Sequence, residues 1–284
     1  MATGTQRQPV SGIILSETCH ERVLIFTWKG FTTFISVLAT ENNTTINFSN
    51  FKQGVTLING STGDNPFSIT LNSGESYALA VQGPNNANRD GLIGALVTSD
   101  KPIALNCGSF GGSNATGNLD LGFDQIVPAE RINTNEYIFI RSTGIDSVEK
   151  VLLVADEDGT EITLRDDLAP SFTINAGEYL ALNGDSFDAL GNLYIRSSKR
   201  IFAYQSIGGN GGSSANQNLF FVPPLNCSTP NIVDNIPQIE LIGNTSYTGG
   251  LNIVTEKGAV VAINNSNINS VPVDISGNPN FVRY

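Results

Sequence analysis

Apolar residues in this chain come in short runs, each cut off by Gly, Asn, Asp or Ser. NEYIFIR (135–141) and VEKVLLVA (148–155) are representative. Val, Ile, Thr, Phe and Tyr dominate the runs, which is strand composition. No long segment sets apolar residues at i, i+3, i+4 and i+7, so no helices are predicted. Tyr137, Phe139 and Arg141 alternate with Ile138 and Ile140. That alternation predicts a strand partly buried on both faces.

The runs echo one another. VLATENNTTINF (37–48) returns as VADEDGTEITL (154–164) and as IVTEKGAVVAI (253–263). ITLNSGESYAL (69–79) returns as FTINAGEYLAL (172–182), and ALVTSDKPIAL (95–105) as YIRSSKRIFAY (194–204). Such periodicity usually builds a scaffold or a binding surface, and seldom a dedicated active site. Three hairpin turns are expected to recur in order: Asn42-Asn43 with Asp158-Gly159, Ser73-Gly74 with Ala176-Gly177, and Asp100-Lys101-Pro102 with Ser198-Lys199. The first fits a two-residue hairpin loop with positive φ.

About seven strands fall in each full unit, at 22–28, 34–40, 44–48, 67–71, 75–81, 92–98 and 102–107, then at 136–142, 150–155, 160–164, 172–175, 178–182, 192–197 and 200–206. A third unit begins at 237–242, continues through 251–256 and 259–263, and runs out near Phe281. The expected organisation is an N-terminal extension (1–18), unit 1 (19–110), a connector (111–134), unit 2 (135–207), a connector (208–235) and a truncated unit 3 (236–284). Each unit has the size of a small sandwich, so the fold expected is all-β, with tandem antiparallel β-sandwich-like units. The alternative uses QIVP (125–128) and FFVP (220–223) as eighth strands. Each repeat is then two four-stranded blades of a six-bladed β-propeller.

Composition narrows the setting. Hydrophobic residues make up 40% of the 284, enough for real cores, while charged residues are only 14%. Asn, Ser, Thr and Gly cover the surface instead, as in extracellular β-proteins. The net charge of −11 disfavours nucleic acid and anionic membrane as partners. No stretch reaches the roughly 18 apolar residues of a membrane helix. The N-terminal MATGTQRQPV has no apolar core of a signal peptide, and the C-terminal NPNFVRY ends on an apolar run. Both ends read as those of a processed form or a piece of a larger protein. Cys19, Cys107 and Cys227 lack zinc-site spacing, leaving either one disulfide and an orphan or three thiols.

Candidate chemistry is sparse. Asp156, Asp158 and Glu161 in DEDGTE offer oxygen ligands at calcium-loop spacing, but Asp167 stands where a bidentate Glu belongs. The matching turns ENNT (41–44) and EKGA (256–259) lack the acidic pattern, which favours a tight turn. Asp185 and Asp188, with Asn88-Arg89-Asp90 as counterpart, form a second weak calcium candidate. No cofactor other than Ca²⁺ is suggested. His20 is the single histidine, and its neighbour Cys19 points away from it in an extended segment, so no catalytic triad is expected. Trp28 is the single tryptophan, a poor lining for sugar subsites. The corresponding loops GSFGGSNATGN (108–118) and GGNGGSSANQN (208–218) are not phosphate loops, since no Lys and no helix follows; they are connectors suited to recognition. Sequons at Asn42, Asn43, Asn59, Asn114, Asn226, Asn244 and Asn264 matter only on a eukaryotic secretory route.

Three segments carry a resemblance: ESYALAV…DGLIGALVTSDKPIALNCGS (75–109), FDQIVPAERINTNEYIFIRS (123–142) and VLLVADEDGTEITL (151–164). Together they resemble the IgGFc-binding protein N-terminal domain family. The second copy departs from the pattern, with SSKRIFA for SDKPIA. The resemblance implies an extracellular or cell-surface binding or adhesion module, of the kind found in large bacterial surface proteins, and no immunoglobulin-contacting residue carries over. The expected function is therefore non-enzymatic binding of a protein or glycan surface ligand, or of copies of itself. A self-assembling stalk and a carbohydrate-active or lectin-like domain are the alternatives.

Overall fold

The computed structural model describes residues 19–22, 32–63, 66–82, 86–112, 120–207, 219–226, 231–233, 236, 241–242, 245–246 and 250–284. Their regular structure is strand, apart from 3-10 turns at Asn86–Asn88, Ala129–Arg131 and Gly184–Ser186. The first eight strands are β1 (Cys19–Arg22), β2 (Thr32–Ala39), β3 (Thr44–Ser49), β4 (Phe67–Leu71), β5 (Ser76–Gln82), β6 (Leu96–Ser99), β7 (Ile103–Gly112) and β8 (Asp120–Gln125). They form two antiparallel sheets, β1-β6-β3-β4 and β5-β2-β7-β8. The next eight are β9 (Glu136–Ile140), β10 (Lys150–Ala155), β11 (Thr160–Leu164), β12 (Phe172–Ile174), β13 (Tyr179–Leu182), β14 (Asn192–Ser197), β15 (Ile201–Ser206) and β16 (Phe220–Phe221). Their sheets are β9-β14-β11-β12 and β13-β10-β15-β16. Adding eight to every label of the first pair gives the second.

Later strands are short: β17 (Leu241–Ile242) with β18 (Thr245–Ser246), β20 (Ala262–Ile263) with β21 (Ser266–Asn267), and a three-stranded sheet β19-β23-β22 from Val254–Glu256, Asn278–Arg283 and Val273–Ile275. Strands 22–28 and 237–242 of the sequence reading fall largely outside the described residues.

Three expectations change. Each full set has eight strands, because Asp120–Gln125 and Phe220–Phe221 join β7 and β15. The eighth strands do not make propeller blades, and among the described residues no sheet closes into a propeller or barrel. The recurrent turns are not hairpins either. β2 pairs with β5 and β7, whereas β3 pairs with β4 and β6, so the turn at Asn42-Asn43 carries the chain from one sheet to the other. The turns β4–β5 and β6–β7 cross likewise. Positive φ is present at Asn43, Gly74, Gly159 and Gly177, as the turn residues require. What a local turn cannot encode is which strand its neighbour pairs with.

Packing follows from parity. β2 buries every second residue, and Ile35 and Val37 meet Ile46 and Phe48 of the opposite sheet in one cluster. In the second sheet pair Val151, Leu153, Ile201 and Ala203 face Tyr137, Phe139, Ile162 and Ile195. The other face of β10 and β15 is buried too: Leu152, Val154, Phe202 and Tyr204 belong to the core of the first pair. A sheet covered on both faces reads as an unbroken apolar run, which explains VLLVA and IFAY. Gly94 and Gly177 touch across this junction, where a Cβ on Gly94 would lie 1.8 Å from the Gly177 carbonyl oxygen. β9 is also two-sided. Ile138 and Tyr194 pack on Ile275, with Val254 and Phe281 of the last sheet beside them.

Candidate functional site

The calcium candidates lie at the corners between sheets, and most are occupied in holding those corners. Asp158 Oδ1 accepts the Ala176 N–H at 3.0 Å, and the Lys199 ammonium donates to the Asp158 carbonyl. In the first sheet pair Asn42 plays both parts, its Oδ1 accepting the Ser73 N–H at 3.1 Å and its carbonyl the Lys101 ammonium. Asn72 and Asn175 each accept a backbone N–H of the first corner, from Asn43 and Gly159. Glu75 and Glu178 each cap the corner they close. The same hydrogen-bonded knot is thus tied twice, once with an amide and once with a carboxylate.

Asp156 is buried and paired with Arg200 at 3.1 Å. Glu161 is exposed, and its N–H donates to Ser198 Oγ. Asp185 is exposed on the 3-10 turn, while Asp188 Oδ1 accepts the Leu190 and Asn192 N–H groups at 2.9 Å each. Among the described residues no three His, Cys, Asp or Glu side chains gather as a metal set. Cys107 is a buried thiol on β7; Cys227, Trp28 and the loop 208–218 lie outside the described residues.

Sequence reasoning missed two features. One is Glu149, wholly buried, whose carboxylate accepts the N–H groups of Gly144 at 2.8 Å and Ser142 at 3.1 Å. It fixes the 141–149 loop, with Arg141 bonded to the Gly144 and Gly184 carbonyls. A carboxylate inside VEKVLLVA was the available signal.

The other is an aromatic patch. Phe34 on β2, Gly108 on β7 and Phe123 on β8 stand in one cross-strand row, and so on one face of the sheet. Phe34 lies over Gly108, where a Cβ would meet its Cζ at 2.5 Å. Phe110 packs on Phe34 with centroids 4.9 Å apart. Phe110 and Phe123 are 62% and 68% exposed. Counting back from the matching corner bonds at Ala39 and Ala155, the second sheet pair has Lys150 and Ser206 where the first has Phe34 and Gly108. The residues that bury the outer face of β10 and β15 correspond to Ser36, Leu38, Ala104 and Asn106. The first outer sheet therefore lacks the chemistry that packs one sheet pair on the next, and carries its large apolar groups further along. Phe110 lies in the 108–118 segment, whose residues 108–112 continue β7; residues 113–118 are not described.

A groove of about 440 Å³ beside the β9 edge has Glu136, Arg196 and Leu225 on its walls. Leu225 covers that edge, its N–H donating to the Glu136 carbonyl at 2.8 Å. Burial and a bond to Glu136 push the Tyr194 hydroxyl above its ordinary pKa.

The described residues thus give stacked antiparallel sheets, hydrogen-bonded corners and one outer face with exposed aromatic rings. Residues 18–284 match the family described as IgGFc binding protein, and the chain belongs to that family. It is a family of binding domains that are typically secreted or extracellular. Comparison with curated proteins and with solved structures returns no match. No helix among the described residues is long and apolar enough to cross a membrane.

Proposed function

We propose that this chain is a non-enzymatic module of a secreted or cell-surface protein that adheres to a protein ligand through the patch of Phe34, Phe110 and Phe123. One observation carries the reading: the Phe110 and Phe123 rings lie largely in water, beside Phe34 and Gly108, where the second sheet pair has Lys150 and Ser206. Exposed aromatic rings on a rigid sheet cost little side-chain entropy to bury, and such groups anchor interfaces.

The test is binding of the full chain to an immobilised panel of immunoglobulin Fc, mucin and matrix proteins, intact and deglycosylated. Binding that survives deglycosylation and falls about tenfold or more in the Phe110→Ser, Phe123→Ser double variant supports the reading. Undiminished binding by that variant sinks it, and loss on deglycosylation transfers the function to a lectin. The continuous core between the two sheet pairs favours one further role, a stiff spacer, for which the patch would be dispensable.

A further inference from the structure

We propose that the outer edge of β8 accepts an extended, basic segment of a partner protein as a fifth strand on the sheet β5-β2-β7-β8, with partner side chains resting on Phe110 and Phe123. The proposal rests on the binding reading above and gives its partner a chemistry.

Three observations lead to it. β8 ends its sheet, so among the described residues no strand pairs with its far edge. It is six residues long, whereas its counterpart β16 has two. Long edges invite pairing, and proteins usually blunt them with charge, Pro or brevity; two aspartates repel only strands of like charge. DLGFDQ contains neither Lys nor Pro. Second, the patch lies beside that edge. A strand added there sets alternate side chains on the patch face, level with Phe123, so that main-chain bonds give affinity and the phenyl rings give selectivity. Third, charge chooses the occupant. β8 carries Asp120 and Asp124 and no cation, in a chain of net charge −11, and Asp124 keeps its negative charge while accepting the Phe221 N–H at 3.2 Å. A second copy pairing β8 against β8 antiparallel about Gly122 would bring Asp120 opposite Asp124 twice, and opposed like charges destabilise a sheet. A strand bearing Lys or Arg meets the opposite sign and is steered toward the chain.

The probe is a fluorescent synthetic peptide alternating Lys and Val, titrated into the full chain and followed by anisotropy. Two control peptides replace Lys by Glu, or carry N-methyl groups along one edge so that edge cannot donate. Expected is saturable binding to the Lys peptide, about tenfold or more weaker for each control and for Phe123→Ser, whose exposed site leaves the fold intact. Absence of binding, or binding indifferent to N-methylation, overturns strand addition. A concentration-dependent dimer abolished by Phe123→Ser overturns it in favour of self-pairing. If the double variant loses its panel ligand while the peptides show no edge dependence, the patch reading stands and only the strand proposal falls.

Discussion

Leu152 and Leu153 are adjacent on β10 and nearly inaccessible, at 1% and 0% exposure, yet they face different cores. Leu153 points into the second sheet pair. Leu152 points into the junction with the first. In two sandwiches joined only by a linker, Leu152 would lie on the surface, and its truncation would change stability by about 0.5 kcal/mol or less. In the observed packing, Leu152→Ala removes three buried carbons, worth about 2.4 kcal/mol at roughly 0.8 each. The cavity left behind raises this to about 3–4 kcal/mol, since neighbours relax only in part. Leu153→Ala should cost as much. Urea unfolding followed by circular dichroism gives both numbers from the midpoints, provided the slope is unchanged. A Leu152→Ala loss near that of a surface site, beside a large Leu153→Ala loss, would refute the shared core.

Other outcomes follow from the corners, the buried carboxylate and the tyrosines. Asp158→Asn should leave stability within about 0.5 kcal/mol, because Asn42 performs the same bonds, while Asp158→Ala should lose about 1 kcal/mol, the size of a missing cap. Thermal denaturation at matched ionic strength reads both. Glu149→Ala strands two backbone N–H groups inside the protein and should cost about 2–5 kcal/mol, with Glu149→Gln recovering part of it; chemical denaturation decides. Tyr179 is pushed up to about 12, by burial first and then by its bond to Asp90. A raised tyrosine stays protonated in the native state while the unfolded chain ionises near 10. Stability is therefore full below pH 10 and falls as pH rises toward 12. Tyr179→Phe should make that fall shallower in alkaline titration, and an unchanged slope would contradict the assignment. Tyr137 and Tyr194, also raised by burial, keep part of the fall in place.

Much of this molecule is legible in one dimension. Strand positions such as 44–48, 67–71 and 160–164 follow from apolar runs between turn residues, and the positive φ at Gly74, Gly159 and Gly177 follows from glycine at the recurrent turns. These are local properties, fixed by side chains within a few residues of one another.

The tertiary structure alone decided the rest. ENNT and DEDG read as hairpin turns, but they are corners between sheets, since pairing depends on strands dozens of residues away. The run VLLVA promised burial without saying that one parity serves a second core. Phe34, Phe110 and Phe123 are distant in the chain and unremarkable in it. Register across three strands sets them on one face, and Gly108 between them leaves room for Phe34 to lie down. Sequence by itself determined the class and the elements, because alternation and turn chemistry are local. The site belongs to the tertiary structure, because a surface is made of residues that only pairing brings together.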